Sequence, residues 1–352
     1  MRTPFELGID TFGDRTVDAD GKLKHPAAVI RDVVAEGVRA DQVGLDFIGI
    51  GEHHRDDFAV SAPDVVLAGI AGQTERIRLG SAVTVLSSDD PVRVFQRFST
   101  LDAISGGRAE VILGRGSFIE SFPLFGYDLG DYEVLFEDKL DLFAHLLEEG
   151  PVTWSGQTRP PLDQQVVWPP TESGRLRTWV GVGGSPESVI RAARYGLPLM
   201  LAIIGGAPQR FAPLVDLYHR ALGELGRDPQ PIGAHLPGHV AETDDQALAE
   251  LWPGFREMHA RIGRERGWAP MRYEDFEAQA GPDGALVVGS PQTVADKVIR
   301  IARGLQLSRI DLKVSAGPLG HDAIMRSIEL LGTEVAPQVR AALAEEPAAA
   351  VG

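Results

Sequence analysis

Eight short apolar runs, each followed by a segment with helical spacing, restrict most strongly how this chain can fold. Residues 5–10, 47–51, 77–86, 109–113, 179–182, 199–203, 232–240 and 310–314 read as buried strands, the seventh interrupted at Pro237-Gly238. Helices are expected over 27–43, 63–73, 91–104, 132–148, 186–195, 208–225, 244–266, 291–303 and 323–331. Pro63, Pro91, Pro186 and Pro291 stand at the starts of four of them, where a missing N–H costs nothing. Strand–helix alternation of this kind gives an α/β fold, a (β/α)8 TIM barrel with insertions after strands 4 and 7. The irregular stretches 116–130, 151–177 and 268–282 form those insertions. An open doubly wound sheet would want a glycine-rich phosphate turn after strand 1, and Thr11-Phe12-Gly13-Asp14 is not one. Residues 1–340 are expected to form a single barrel domain and 341–352 a disordered tail.

Charge and composition narrow the partners. A net charge of −16 disfavours nucleic acid and anionic membrane, which need clustered Lys and Arg. With no cysteine, disulfides, thiolate zinc sites and cysteine nucleophiles are all excluded. The longest apolar run, 197–204, is far too short to span a bilayer, and no apolar signal segment is seen, so a cytoplasmic protein is expected.

Barrel enzymes carry their chemistry at the C-terminal ends of strands. Glu52-His53-His54 follows strand 2, and a histidine there can exchange protons near neutral pH. A metal reading needs further ligands; His235 and His239 near strand 7 are the later candidates, zincin spacing is absent, and no metal is expected. Gly114-Arg115-Gly116 follows strand 4, and an arginine between glycines can approach and grip a phosphate. Gly183-Gly184-Ser185-Pro186 follows strand 5, with Ser185 at the N-cap of a helix whose free N–H groups suit an anion. Arg115 and this helix start come from adjacent strands, so together they could enclose one phosphate. Phe118, Phe122 and Phe125 form an apolar cluster that either walls a pocket or packs the core.

These segments, together with 79–86, 90–93, 101–108 and 192–198, resemble the bacterial luciferase-like monooxygenase family in the same order along residues 5 to 335. The resemblance implies a flavin-dependent barrel. It places His53, with Glu52, at the reacting ring, and Ala82-Val83 at a non-prolyl cis peptide pressed against that ring. It gives phosphate binding to Arg115, Gly184, Ser185 and Ser188, counts Gly114 and Gly183 among the cofactor-binding residues, and gives the pocket floor to Asp10. Gly114 and Gly184 depart from luciferase itself, so light emission is not implied.

The implied activity is oxygenation of a small organic substrate, of aldehyde or ketone type, by reduced FMN and molecular oxygen. Reduced flavin would come from a separate flavin reductase, since no nicotinamide fingerprint is present, and a homodimer is implied. Three alternatives stand beside it: F420-dependent hydride transfer, a catalytically silent flavin-binding partner subunit, and a metal-dependent barrel hydrolase.

Overall fold

A computed structural model describes residues 4–116 and 118–344. The barrel strands are β1 (Glu6–Thr11), β2 (Phe47–Ile50), β3 (Arg78–Ser81), β4 (Ala109–Gly114), β5 (Arg177–Val182), β6 (Leu199–Ala202), β7 (Ile232–Val240) and β8 (Arg309–Lys313). Each is parallel to the next, and β8 pairs with β1 through Glu6↔Arg309 to Asp10↔Lys313, so the sheet closes on itself. Closure leaves no barrel edge, and both faces of every strand are covered. This is why the strand sequences read as continuous apolar runs.

Local chemistry sets the helix starts. Pro26, Pro63, Pro91, Pro186 and Pro291 each open a helix. Asp90 accepts from the N–H groups of Val92 and Arg93, and Ser185, Thr243 and Ser290 cap their helices in the same way. Gly106, Gly196 and Gly267 end helices in the left-handed conformation that glycine adopts without steric cost.

The barrel interior is filled below the mouth. Phe47, Ile112, Trp179 and Met200 form a buried apolar layer. Under it the fully buried Arg309 lies 3.4 Å from the Phe47 ring centroid, 2.8 Å from Asp311, and against Glu110. Salt-bridged in this way, the arginine can occupy a dry interior.

Four expectations need correction. The run 77–86 is not one strand: it leaves the sheet at Ala82-Val83 and re-pairs at Thr84–Val85 with Leu113 and Gly114. Strand β7 is not interrupted at Pro237. It exchanges partners there, from β8 to the short strand Val287–Gly289, at the one residue without an N–H to give. The chain does not end its helices at 331: a turn over Leu331–Val335 leads into a helix Ala336–Ala344, so 341–344 are helical rather than a tail. That helix buries Ala336 and Val339, and its Arg340 bonds the carbonyl of Gly44 and the carboxyl of Asp46. The rest of the expected tail, 345–352, lies outside the described residues. Finally, the insertions are structured. The first holds a helix Ser121–Phe125 and a hairpin Val152–Trp154/Leu162–Gln165; the second holds a helix Tyr273–Ala280. Among the described residues no helix is long and apolar enough to cross a membrane.

Candidate cofactor-binding and active site

A cavity of about 460 Å³ opens at the C-terminal ends of the strands. Asp10, Glu52, His53, Ala82, Val83, Gly114, Arg115 and Gly183 line it, so eight residues singled out in the sequence converge from five strands' ends.

The Ala82-Val83 peptide is cis, as the resemblance implied. Neighbouring glycines make room for it. A β-carbon at residue 49 would sit 2.7 Å from Cβ of Ala82, and one at residue 114 would sit 2.5 Å from Cγ2 of Val83. Glu52 secures the same segment, accepting from the Val85 N–H at 2.5 Å. Burial pushes its carboxyl up to about 7, against the pull of the Val85 N–H.

His53 sits in an aromatic collar. Its ring centroid is 4.4 Å from Phe58, 4.8 Å from Phe118 and 5.2 Å from Phe12. Its Nδ1 lies 3.1 Å from Oε1 of Glu120, so the carboxylate fixes the ring and leaves Nε2 for the cavity. His54 is not a cavity residue. It packs edge-on against Phe125 at 5.0 Å, and burial pulls its pKa down. Phe118 lines the cavity, Phe122 is buried core, and Phe125 is half exposed.

The anion site forms where β4 and β5 end. Arg115 Nη2 donates to Ser188 Oγ at 3.2 Å, and Ser185 Oγ lies 2.8 Å from the same oxygen. Gly184, with φ of +124°, turns the chain into the helix start. Arg191, three residues beyond Ser188, adds a second guanidinium at 3.5 Å from Ser188 Oγ. Glu133 answers both arginines. Guanidinium, hydroxyls and a helix N-terminus are donors of the kind that suit an anion such as phosphate.

The floor was less legible. His235 lines the cavity with its Nδ1 2.6 Å from Oδ2 of Asp10, rather than serving a metal. His239 is fully buried and bonded to Glu250, away from His235. Among the described residues no three His, Asp or Glu side chains are placed to hold a metal ion. Asp311 and Lys313 also line the floor. Their signal was present: Arg309, Asp311 and Lys313 alternate with Ile310 and Leu312, which puts three charges on one face of a buried strand. Glu120, Glu133 and Arg191 had no comparable signal. The far wall comes from the helix Asp244–Arg266, through Phe255, Met258, His259 and Ile262, and from Trp268.

A closed eight-stranded parallel barrel with a guanidinium-and-hydroxyl cluster at β4 and β5 and an imidazole at β2 defines the class, an α/β barrel with its pocket at the C-terminal strand ends. Within that class, the chain belongs to the luciferase-like monooxygenase family, which it matches over residues 13–306. It is 28% identical over 321 residues to the 4-hydroxyprotoasukamycin monooxygenase of Streptomyces nodosus subsp. asukaensis, covering 86% of this chain and 85% of that protein. Its fold is shared by the oxygenating constituent of 3,6-diketocamphane monooxygenase from Pseudomonas putida, a type II Baeyer-Villiger monooxygenase solved with FMN. That likeness has a TM-score of 0.74 at 18% identity, over 96% of this chain and 99% of that one. The F420-dependent tetrahydromethanopterin reductase of Methanopyrus kandleri shares it too, with a TM-score of 0.67 at 18% identity, over 96% and 100%.

Proposed function

We propose that this protein is an FMN-dependent monooxygenase that uses reduced flavin and molecular oxygen on a small organic substrate. The observation that carries this reading is one cavity lined by Arg115, which donates to Ser188 behind it, by the Ala82-Val83 bulge and by His53. Its volume of about 460 Å³ suits a cofactor-sized ligand. Family membership and the FMN complex among the fold neighbours support the same reading.

Reduced flavin, when bound, supplies the electrons for oxygen activation. Arg115, Ser185 and Ser188 would hold its phosphate, with Arg191 beside Ser188. Ala82 and Val83 would bear on its ring. His53, oriented by Glu120, holds or passes a proton through Nε2. Phe12, Phe58 and Phe118 give the imidazole an apolar surround. The reductase and the homodimer inferred from the resemblance belong to the same proposal.

The test is a titration of the purified protein with FMN and, separately, with F420, followed by fluorescence quenching. Tight FMN binding supports the reading. F420 binding without FMN binding moves the protein to hydride transfer, and binding of neither ends both.

A further inference from the structure

Two imidazoles, not one, are set into the cavity on carboxylate tethers. His53 Nδ1 lies 3.1 Å from Glu120, and His235 Nδ1 lies 2.6 Å from Asp10. Phe12 stands between them, its centroid 5.2 Å from the His53 ring and 6.0 Å from the nearly parallel His235 ring. A carboxylate only accepts, so each Nδ1 is the donor, and in the neutral ring each Nε2 carries the lone pair. Among the described residues no hydrogen bond reaches either Nε2.

The two tethers differ. Glu120 is partly open to solvent, whereas Asp10 is 1% exposed and its Oδ1 has no partner among the described residues. The buried Asp10 carboxylate therefore has His235 as its hydrogen-bond partner. A buried carboxylate that fixes a histidine tautomer and stabilises the imidazolium is how a general base is built. The other charged groups on this floor are Asp311 and Lys313, and the Lys313 ammonium is held by Asp14 at 2.9 Å and by Ser315. Asp10, on β1, lies four strands from β5 in the eight-strand ring, and His235, on β7, lies two. The cavity thus carries two chemically distinct groups, the Arg115 guanidinium at the end of β4 and a proton acceptor on the floor.

Resting on the flavin reading above, the geometry points to His235, held by Asp10, as a second proton acceptor that takes the hydroxyl proton of a phenol-class substrate. The substrate's O–H bond breaks, its electron pair stays on oxygen, and the proton forms a bond to Nε2 of His235. The phenolate so formed is electron-rich at its ring carbons, the positions that accept oxygen. A hydroxylated ring offers this nitrogen a proton that an aldehyde or ketone oxygen lacks, which favours that class over the aldehyde or ketone implied by the resemblance. Phe118, Phe255, Met258, Ile262 and Trp268 give that ring apolar and aromatic walls.

The experiment needs no known substrate. The purified full chain is titrated with 4-nitrophenol, whose phenolate is coloured, and with 4-nitroanisole, which has the same ring but no O–H. The wild type should bind 4-nitrophenol at least tenfold tighter and hold it as phenolate at a pH where the free dye is largely protonated. His235→Asn and Asp10→Asn should lose both effects. Equal affinity of the wild type for the two dyes overturns the proposal without any variant. So does an unchanged phenolate signal in His235→Asn. FMN titration of the same samples separates the two readings: a wild type that binds 4-nitrophenol as phenolate but no FMN keeps the base and loses the flavin.

Discussion

Gly114 and Val83 share one space: a β-carbon added to residue 114 would lie 2.5 Å from Cγ2 of Val83 and 3.0 Å from its Cβ. The glycine after Leu113 is therefore required by the Ala82-Val83 bulge that follows strand β3, whatever ligand lies above. Gly114→Ala should destabilise the fold by about 1–3 kcal/mol, the usual cost of overpacking. Denaturant unfolding checks this. Unchanged stability would mean that the 82–83 segment yields easily.

Arg115→Ala should weaken FMN binding by about 1.5–3 kcal/mol, the worth of a hydrogen bond to a charged group. Riboflavin, which has no phosphate, should bind both proteins alike. Equal losses for the two ligands would place the arginine somewhere other than at the phosphate.

Glu133 neutralises Arg115 and Arg191 in the unliganded protein. Glu133→Gln should remove a like-charge competitor from the anion site and tighten FMN, while leaving riboflavin unchanged. Isothermal titration with both ligands decides it, and weaker FMN binding would show that Glu133 orients the arginines rather than competing.

His53→Ala should keep flavin and lose turnover by about 100-fold or more, the range for a positioned acid–base group. Glu120→Gln removes the anchor of the ring and should lower turnover less. Turnover at the wild-type rate in His53→Ala would exclude the imidazole from the chemistry.

Glu52 gives a pH dependence whose sign is fixed by burial. Its carboxyl is raised from 4.5 to about 7 in the folded protein, so between those values the folded state binds the extra proton. Stability from this group is full below the lower value, falls as pH rises through the window, and stays low above it. The total is at most about 3 kcal/mol, since one pKa unit is worth about 1.4 kcal/mol. Glu52→Gln can still accept the Val85 N–H and should flatten the stability profile between pH 5 and about 7. Thermal unfolding at several pH values is the measurement, and an unaltered slope would mean that other groups dominate, Asp311 among them, which burial also raises to about 7.

The chain's own order of residues determined the barrel, the starts of its helices and one half of the site. Apolar runs, N-terminal prolines and Ser or Asp caps are local signals, because each acts within a few residues of itself. His53, Arg115 and Ser185 were visible for the same reason, standing just past strand ends. What only the tertiary structure decided is what those residues face. Glu120 reaches His53 across 67 positions, Asp10 reaches His235 across 225, and Glu133 meets Arg115 from the first turn of the helix Tyr132–Leu146. Closure of the barrel brings such groups together, and nothing in the local pattern of a strand encodes which distant carboxylate will meet its histidine.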